Sequence, residues 1–562
     1  MAAEQTDTSS SPGRHQEPVH WADQTAARIV AQRGPLGGDK PHYTCASGIT
    51  PSGTVHIGNF REIVSVDLVV RALRDAGYAT RFIYSWDDFD VFRKVPKNMP
   101  KQEMLDAHLR WPITDVPDPF GELGSYAERN ERDLESVLPT VGVTPEYLYQ
   151  TRKYRAGEYA SGIRTALERR DVIRRLLDEH RTTSLPDDWW PVSVFSRFTH
   201  KDTTTITGWD GEWGLSYRCD ESGNEETVDI RTSDLVKLPW RIDWPMRWRH
   251  EQVDFEPAGK EHHSAGGSFD TAKTIAREVY GYDAPVTFKY DFISIKGRGG
   301  KISSSTGDVI GLPEVLEVYE PEVVRYLFAG TRPNTEFAIS FDLDVIKIYE
   351  DYDRAERIYF GVEQVNEKRA QKESRDYELS QLPERAALLR AAARVRATKA
   401  DARLRGPVQF PFRTLCNFLM ITAGDIGAAL SRFDDYDPND LGQRDRAHRR
   451  ARCAWNWTTG FAPEEFRFAL KDGSEEPVAL SPAERAAVVA LRDEIDRKLD
   501  EYDDKSLQDR VYAIARENGA DEKAFFGVMY RILIGKERGP RLGGFLRTVG
   551  RERLLQILDG YR

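Results

Sequence analysis

Hydrophobic and polar positions change rhythm three times along this chain. From about Ala22 a helix leads into PHYTCASG, a short β-like run ending in glycine. Apolar residues then recur at helical spacing from Ile57 to Ala76, and GYATRFIYSW reads as a buried strand. Strand, glycine turn, helix and strand form a βαβ unit, which predicts a parallel sheet. Residues 95–230 lose that rhythm: VPKNMPKQEM and WPITDVPDPFGE are loop-rich, a charged helical middle follows, and HKDTTTITGWDGEWGLSYRCDESGNEETVDI alternates short strands with turns. This stretch is expected to be an insertion between two halves of one α/β domain. The sheet pattern returns at VDFEPAGKEHH and VTFKYDFISIKG. Beyond about residue 345 amphipathic helices take over, with DYDPNDLGQ as a linker among them. The expected organisation is a disordered leader over 1–20, a parallel-sheet α/β domain over 21–345 and an α-helical region over 346–562.

Composition narrows the picture. At 562 residues the chain is too long for one hydrophobic core. No apolar run approaches the roughly 20 residues that span a bilayer, and the N-terminus lacks the apolar stretch of a secretory signal. Cys45, Cys219, Cys416 and Cys453 form no CxxC pair, which points to a reducing compartment and a cytoplasmic protein. A net charge of −11 argues against a wholly basic nucleic-acid surface but leaves room for a local basic groove.

Two stretches carry candidate chemistry. In ASGITPSGTVHIGNFREI, a strand ends in a glycine-rich turn and a helix begins. That arrangement offers backbone N–H groups and the positive end of a helix dipole to a phosphate. Ser47, Gly48, Ser52 and Gly53 leave space for its approach, while His56 and Asn59, three apart, share one helix face with Glu62 a turn deeper. Alone, the stretch reads equally as a turn and a helix with a solvated histidine. The second stretch, IKGRGGKISSSTGDVI, sets Lys296, Arg298 and Lys301 in a serine-rich loop suited to stabilising charge on a transferring phosphate. Alone, it reads better as a surface loop.

Together the two resemble the paired signatures of the class I aminoacyl-tRNA synthetases, His56-Ile57-Gly58-Asn59 and Lys301-Ile302-Ser303-Ser304-Ser305. Wider matches in SGITPSGTVHIGNFRE, DDFDVFRKVP, LPWRIDWPMRW, GKEHHSAGGSFDTA and GKERGPRLGGF resemble the class I lysyl-tRNA synthetase family, over about residues 20–555. The resemblance implies a Rossmann-type catalytic domain with an inserted subdomain, followed by an all-α anticodon-binding region. It implies ATP-dependent activation of L-lysine and its transfer to tRNA(Lys), with Mg²⁺ accompanying ATP, in a monomer with no membrane association.

By the same resemblance His56 and Asn59 hold the ATP phosphates, joined by Ser52, Gly53 and Gly58. Lys301, with Ser303 and Ser304, stabilises the transition state. Ser304 stands where the signature usually has a second lysine, which leaves more of the charge to Lys301. Gly259 and Glu261 meet the ribose, with glutamate in place of the usual aspartate.

A pocket for lysine needs a carboxylate for the ε-ammonium and aromatic walls for the stem. The resemblance, not the spacing, supports the choices that follow, against Trp240 as a core aromatic and Glu62 as a helix-surface acid: Glu62 is the expected counter-charge. Trp240 (with Trp244 as a rival) and Tyr290 are the expected walls, Gly48 and Thr50 meet the amino-acid backbone groups, and His262 bonds either substrate. Asp87, Asp88 and Asp90 either hold Mg²⁺ or, as the preferred reading, cap the next helix and pair with Arg93 and Lys94. Relatives often carry zinc cysteines in the insertion. Only Cys219 and His200 are available here, so no structural zinc is expected. In the helical region, Arg385, Arg390, Arg394, Arg396 and RDRAHRRAR are candidate phosphate contacts, with Trp455 and Trp457 as candidate stacking platforms; since these segments also carry acids, they read equally as solvated helix faces.

Overall fold

The computed structural model of the protein describes residues 18–296, 310–398 and 406–562, with the backbone alone for 393–398. Lys301, Ser303 and Ser304 therefore lie outside the described residues, as does Arg298.

Helix α1 (Trp21–Arg33), strand β1 (Tyr43–Ile49), helix α2 (Ile57–Asp75) and strand β2 (Thr80–Trp86) open the fold. β1 and β2 pair in parallel, with Ser47 opposite Tyr84 and Gly48 opposite Ser85. Apolar side chains of α2 from Ile57 to Leu73 bury against this sheet and against α1, which is why the helix runs uninterrupted for 19 residues. The leader was expected to reach residue 20, but His20 is buried. Its Nδ1 accepts the Ala22 N–H to cap α1, and its Nε2 lies 2.9 Å from the Ala329 carbonyl.

The expected insertion is not one continuous block. Within it, strand β3 (Glu146–Tyr149) pairs in parallel with β2; beyond it, strand β4 (Val253–Phe255) lies along β1, giving the order β3-β2-β1-β4. Four residues with little alternation gave no period-2 signal strong enough to mark β3. Residues 193–237 form the remaining antiparallel ribbons. They pack on a core in which Tyr154, Tyr159 and Tyr217 are buried beside partly buried Trp189, Trp190, Trp209 and Trp213.

Helix α3 (Trp240–Glu251) precedes β4. After it come β5 (Ala258–Gly259), helix α4 (Ser268–Tyr280), β6 (Lys289–Tyr290), β7 (Ile293–Ile295) and β8 (Phe337–Ile339). β5 pairs with β6 and β7 with β8, both in parallel. Because β1 has neighbours reached in opposite directions, its C-terminal end opens a crevice of the kind in which parallel α/β sheets bind ligands.

The helical region divides by its cores. Helices between Asp344 and Gly460, including α5 (Leu441–Gly460), share one hydrophobic core with the sheet domain, whereas Ala487 to Tyr561 pack on a core of their own. Among the described residues no helix is long and apolar enough to cross a membrane.

Candidate active site

A cleft of about 870 Å³ opens at the C-terminal end of β1. Its walls include Ser52, His56, Gly58 and Asn59 from the turn into α2, Glu62 one helical turn deeper, and Gly48 and Thr50 at the end of β1. Trp240, Glu261, His262 and Tyr290 close it from the later half of the sheet domain. Two expected residues stand back from it: Gly53 is buried in the turn, and Gly259 is buried behind Glu261.

The signature turn is built differently from the sequence expectation. His56 is the N-cap of α2 rather than a first-turn residue: its Nδ1 accepts the Gly58 N–H at 3.1 Å, and Asn59 Oδ1 accepts the His56 N–H at 3.2 Å. Glycine at 58 lets the imidazole lie against the turn, since a Cβ there would sit 2.8 Å from the ring and push it aside. The Ile57 N–H donates to Ile310 O and the Asn59 N–H to His56 O. The first amides of the helix are thus satisfied within the protein, and the turn presents side chains to the cleft.

Glu62 is the half-buried acid of the site. Ser47 Oγ donates to its Oε1 at 2.8 Å, the Gly48 N–H donates to the same oxygen at 3.2 Å, and the Tyr290 hydroxyl donates to Oε2. Among the described residues no cation pairs with it. Burial pushes its carboxyl above the usual range, against the opposing pull of those three donors. Burial and the neighbouring Glu62 hold the Tyr290 phenol well above its ordinary value, so it remains a donor. Tyr290 thus lines the cleft with its hydroxyl donating to Glu62, and the Gly48 N–H is taken up by the same carboxylate. A Cβ on Gly48 would lie 2.7 Å from Ser85 O, so the close approach of β1 and β2 admits only glycine there.

Trp240 and Trp244 stack with ring centroids 4.8 Å apart and 18° between planes. Trp240 faces the cleft, while Trp244 is buried behind it. His262 Nδ1 lies 2.6 Å from Ser268 Oγ.

The three aspartates after β2 are engaged within the protein, with partners other than Arg93 and Lys94. Asp87 accepts from Arg247 at 2.7 Å, and Asp88 accepts the Thr151 N–H at 2.8 Å. Asp90 accepts from Lys237 at 2.5 Å and from the Thr50 hydroxyl at 2.8 Å. Burial alone would raise the Asp90 carboxyl, but the Lys237 ammonium holds it below its ordinary value. Sequence reasoning missed Lys237 and Arg247 as site-shaping residues, because nothing in VKLPWRIDWPMRW signals partners some 150 residues upstream. Lys296 is tied to Asp342 at 3.0 Å and to Asp344, away from the signature turn. Among the described residues no group of three or more His, Cys, Asp or Glu side chains is arranged to hold a metal.

The expected RNA-facing clusters of the helical region also resolve. In α5, Arg446 pairs with Glu356 at 2.7 Å, Arg449 with Glu322 at 3.0 Å, and fully buried Arg450 with Glu320 at 2.6 Å and Asp353 at 2.8 Å. Trp457 is fully buried and donates to Phe341 O, so it offers no stacking surface. Trp455 is partly buried against Gly424. Arg390 pairs with Asp75, Arg385 reaches Tyr377 and Glu356, and the side chains of Arg394 and Arg396 lie outside the described residues.

A family model described as tRNA synthetases class I (K) matches residues 19–383. A protein of Treponema pallidum named Lysine--tRNA ligase is 50% identical over 548 residues, covering 97% of this chain and 99% of its own. A Pyrococcus horikoshii protein of the same name is 41% identical, covering 96% and 99%. A solved glutamate tRNA ligase from Elizabethkingia meningosepticum aligns at 14% identity and a TM-score of 0.41, over 92% of this chain and 99% of that one. With a family model spanning well over half its length and a relative half identical from end to end, the chain belongs to the class I tRNA synthetases.

Proposed function

We propose that this protein is a lysine–tRNA ligase that activates L-lysine with ATP and transfers it to tRNA(Lys). The names of its 50% and 41% identical relatives support this, and one feature of the cleft carries it. Glu62 is a half-buried carboxylate with three uncharged donors and no cation of its own among the described residues, on a cleft that Trp240 also lines. An acid held in that way suits a substrate that brings an ammonium.

In this reading the lysine ε-ammonium pairs with Glu62 and the stem lies along Trp240, with Thr50 and His262 near the amino-acid head. His56 and Asn59 meet the ATP phosphates, Ser52 and Gly58 leave space for them, and Glu261 lies toward the ribose. Lys301, with Ser303 and Ser304, supplies positive charge during transfer. The lysine carboxylate attacks the α-phosphorus, the bond to pyrophosphate breaks, and lysyl-adenylate forms. The terminal ribose hydroxyl of the tRNA then takes the lysyl group and releases AMP. Positioning and electrostatic stabilisation provide the catalysis, with no covalent protein intermediate. Mg²⁺ arrives with ATP, since the three aspartates after β2 are occupied by internal partners.

The residues up to about 345 serve as the catalytic domain, with the 193–237 ribbons near the acceptor end, and the helical region holds the rest of the tRNA. The protein acts as a cytoplasmic monomer. Pyrophosphate exchange with lysine against glutamate, cysteine and arginine, with and without tRNA(Lys), tests the reading. Lysine-dependent exchange, alone or only with tRNA, upholds it; silence with all four amino acids overturns it.

A further inference from the structure

Helix α3 places Trp240, Trp244 and Trp248 at intervals of four, so the three indoles line one helix face. Only Trp240 meets the cleft. Behind it, Trp244 Nε1 donates to Glu256 Oε1 at 3.0 Å and Trp248 Nε1 donates to Glu256 Oε2 at 2.6 Å. One carboxylate thus uses both oxygens to fix two rings, and Trp244 in turn carries the parallel stack under Trp240. Arg247, on the same helix, lies 5.7 Å from the Trp240 ring but hydrogen-bonds Asp87 and Ser85, not Glu256. Among the described residues no cation forms an ion pair with Glu256.

We infer that Glu256 is a positioning residue for lysine specificity: it clamps the Trp244–Trp248 pair so that Trp240 presents a fixed aromatic face, and in its ionised form it adds negative charge near the Glu62 site. A tilted or mobile indole loses contact with a four-carbon stem, and the aromatic face attracts cations most strongly when it is desolvated and held in place. The two carboxylates feel one another, for the negative charge of Glu62 adds to the burial that raises the Glu256 carboxyl to about 7. A neutral long side chain entering the cleft would gain nothing from that potential, whereas an ammonium relieves it. Glutamine cannot replace Glu256, since it has one acceptor oxygen for two indole donors and leaves one N–H unpaired.

This inference rests on the lysine reading, and its test separates the two. Full-length wild type, Glu256→Gln and Trp244→Phe are compared in pyrophosphate exchange, with KM for lysine, KM for ATP and kcat measured separately. Loss of one satisfied buried donor and of the charge predicts a lysine KM raised about tenfold in Glu256→Gln, with ATP KM and kcat within about twofold. Trp244→Phe keeps a ring under Trp240 and the Glu256 charge, and is expected to raise the lysine KM by less, about threefold. Discrimination against ornithine, whose ammonium is one carbon short, should narrow in Glu256→Gln. If wild type shows no lysine-dependent exchange, the functional reading falls first. If wild type is active and both variants keep its lysine KM and its discrimination, or raise lysine and ATP KM together, Glu256 is only a packing residue and the inference is wrong. Should Glu256→Gln fail to fold, Trp244→Phe alone decides by the same split.

Discussion

Glu62 in the cleft and Arg450 in α5 are both helix charges drawn away from water, the first half-buried and the second fully buried, yet they are treated in opposite ways. Arg450 is matched inside the protein: Glu320 and Asp353 lie at 2.6 and 2.8 Å, and the Phe410 carbonyl takes a further bond. Glu62 has donors but no counter-ion among the described residues. A buried pair that closes on itself holds two helices together and is indifferent to ligand. A charge left open stores an unmet demand that only a matching ligand relieves. Arg446, Arg449 and Arg450 of the basic run are therefore structural, whereas Glu62, of the three acids of α2, is the one without a counter-ion among the described residues, since Asp67 pairs with Arg325 and Asp75 with Arg375.

The comparison breaks most visibly at Glu62. Glu62→Gln is expected to lower kcat/KM for lysine by about a thousandfold, roughly 4 kcal/mol, with little change in thermal stability. A variant with unaltered lysine kinetics would remove the distinction. Arg450→Met should do the reverse, lowering stability by about 3 kcal/mol because Glu320 and Asp353 are left buried without a cation. Urea unfolding gives that number, and kcat/KM measured well below the melting point should match wild type. Lys237 tests an intermediate case, a self-paired charge on the cleft wall. Lys237→Met should cost about 2 kcal/mol of stability by stranding Asp90, and Lys237→Met with Asp90→Asn should recover about half of it. Non-recovery would mean that the pair contributes nothing as a pair.

The smallest expected effect is a pH slope. The Glu256 carboxyl is raised from the ordinary carboxylate range to about 7, with Glu62 and Arg247 as its charged neighbours. The folded chain thus keeps a proton that the unfolded chain gives up. The stability this contributes is fully present below the ordinary range and is lost as pH rises through about 7. The urea midpoint of wild type should therefore fall more between pH 5 and pH 8 than that of Glu256→Gln.

What could be read from sequence follows the range of the interactions. The βαβ unit was legible because apolar periodicity is local, and so was the grouping of His56, Asn59 and Glu62, because helical spacing alone sets it. Strand β3 was hidden by its brevity. The cap role of His56 was hidden by a choice of one residue at the helix boundary. RDRAHRRAR has the composition of an RNA-binding face or of a solvated one, and nothing local to it reveals that Arg446, Arg449 and Arg450 find partners 90–130 residues upstream. Pairings such as Lys237 with Asp90, 147 residues apart, leave no trace in either segment alone.

The tight crossing at Gly48 carries a consequence for heredity. Every missense change reachable by one nucleotide from a glycine codon installs a side chain with a Cβ, and at this position that atom would meet the Ser85 carbonyl at 2.7 Å. The codon has synonymous freedom but no accessible neighbour that keeps β1 seated on β2. In a saturation-mutagenesis population only third-letter changes should survive there.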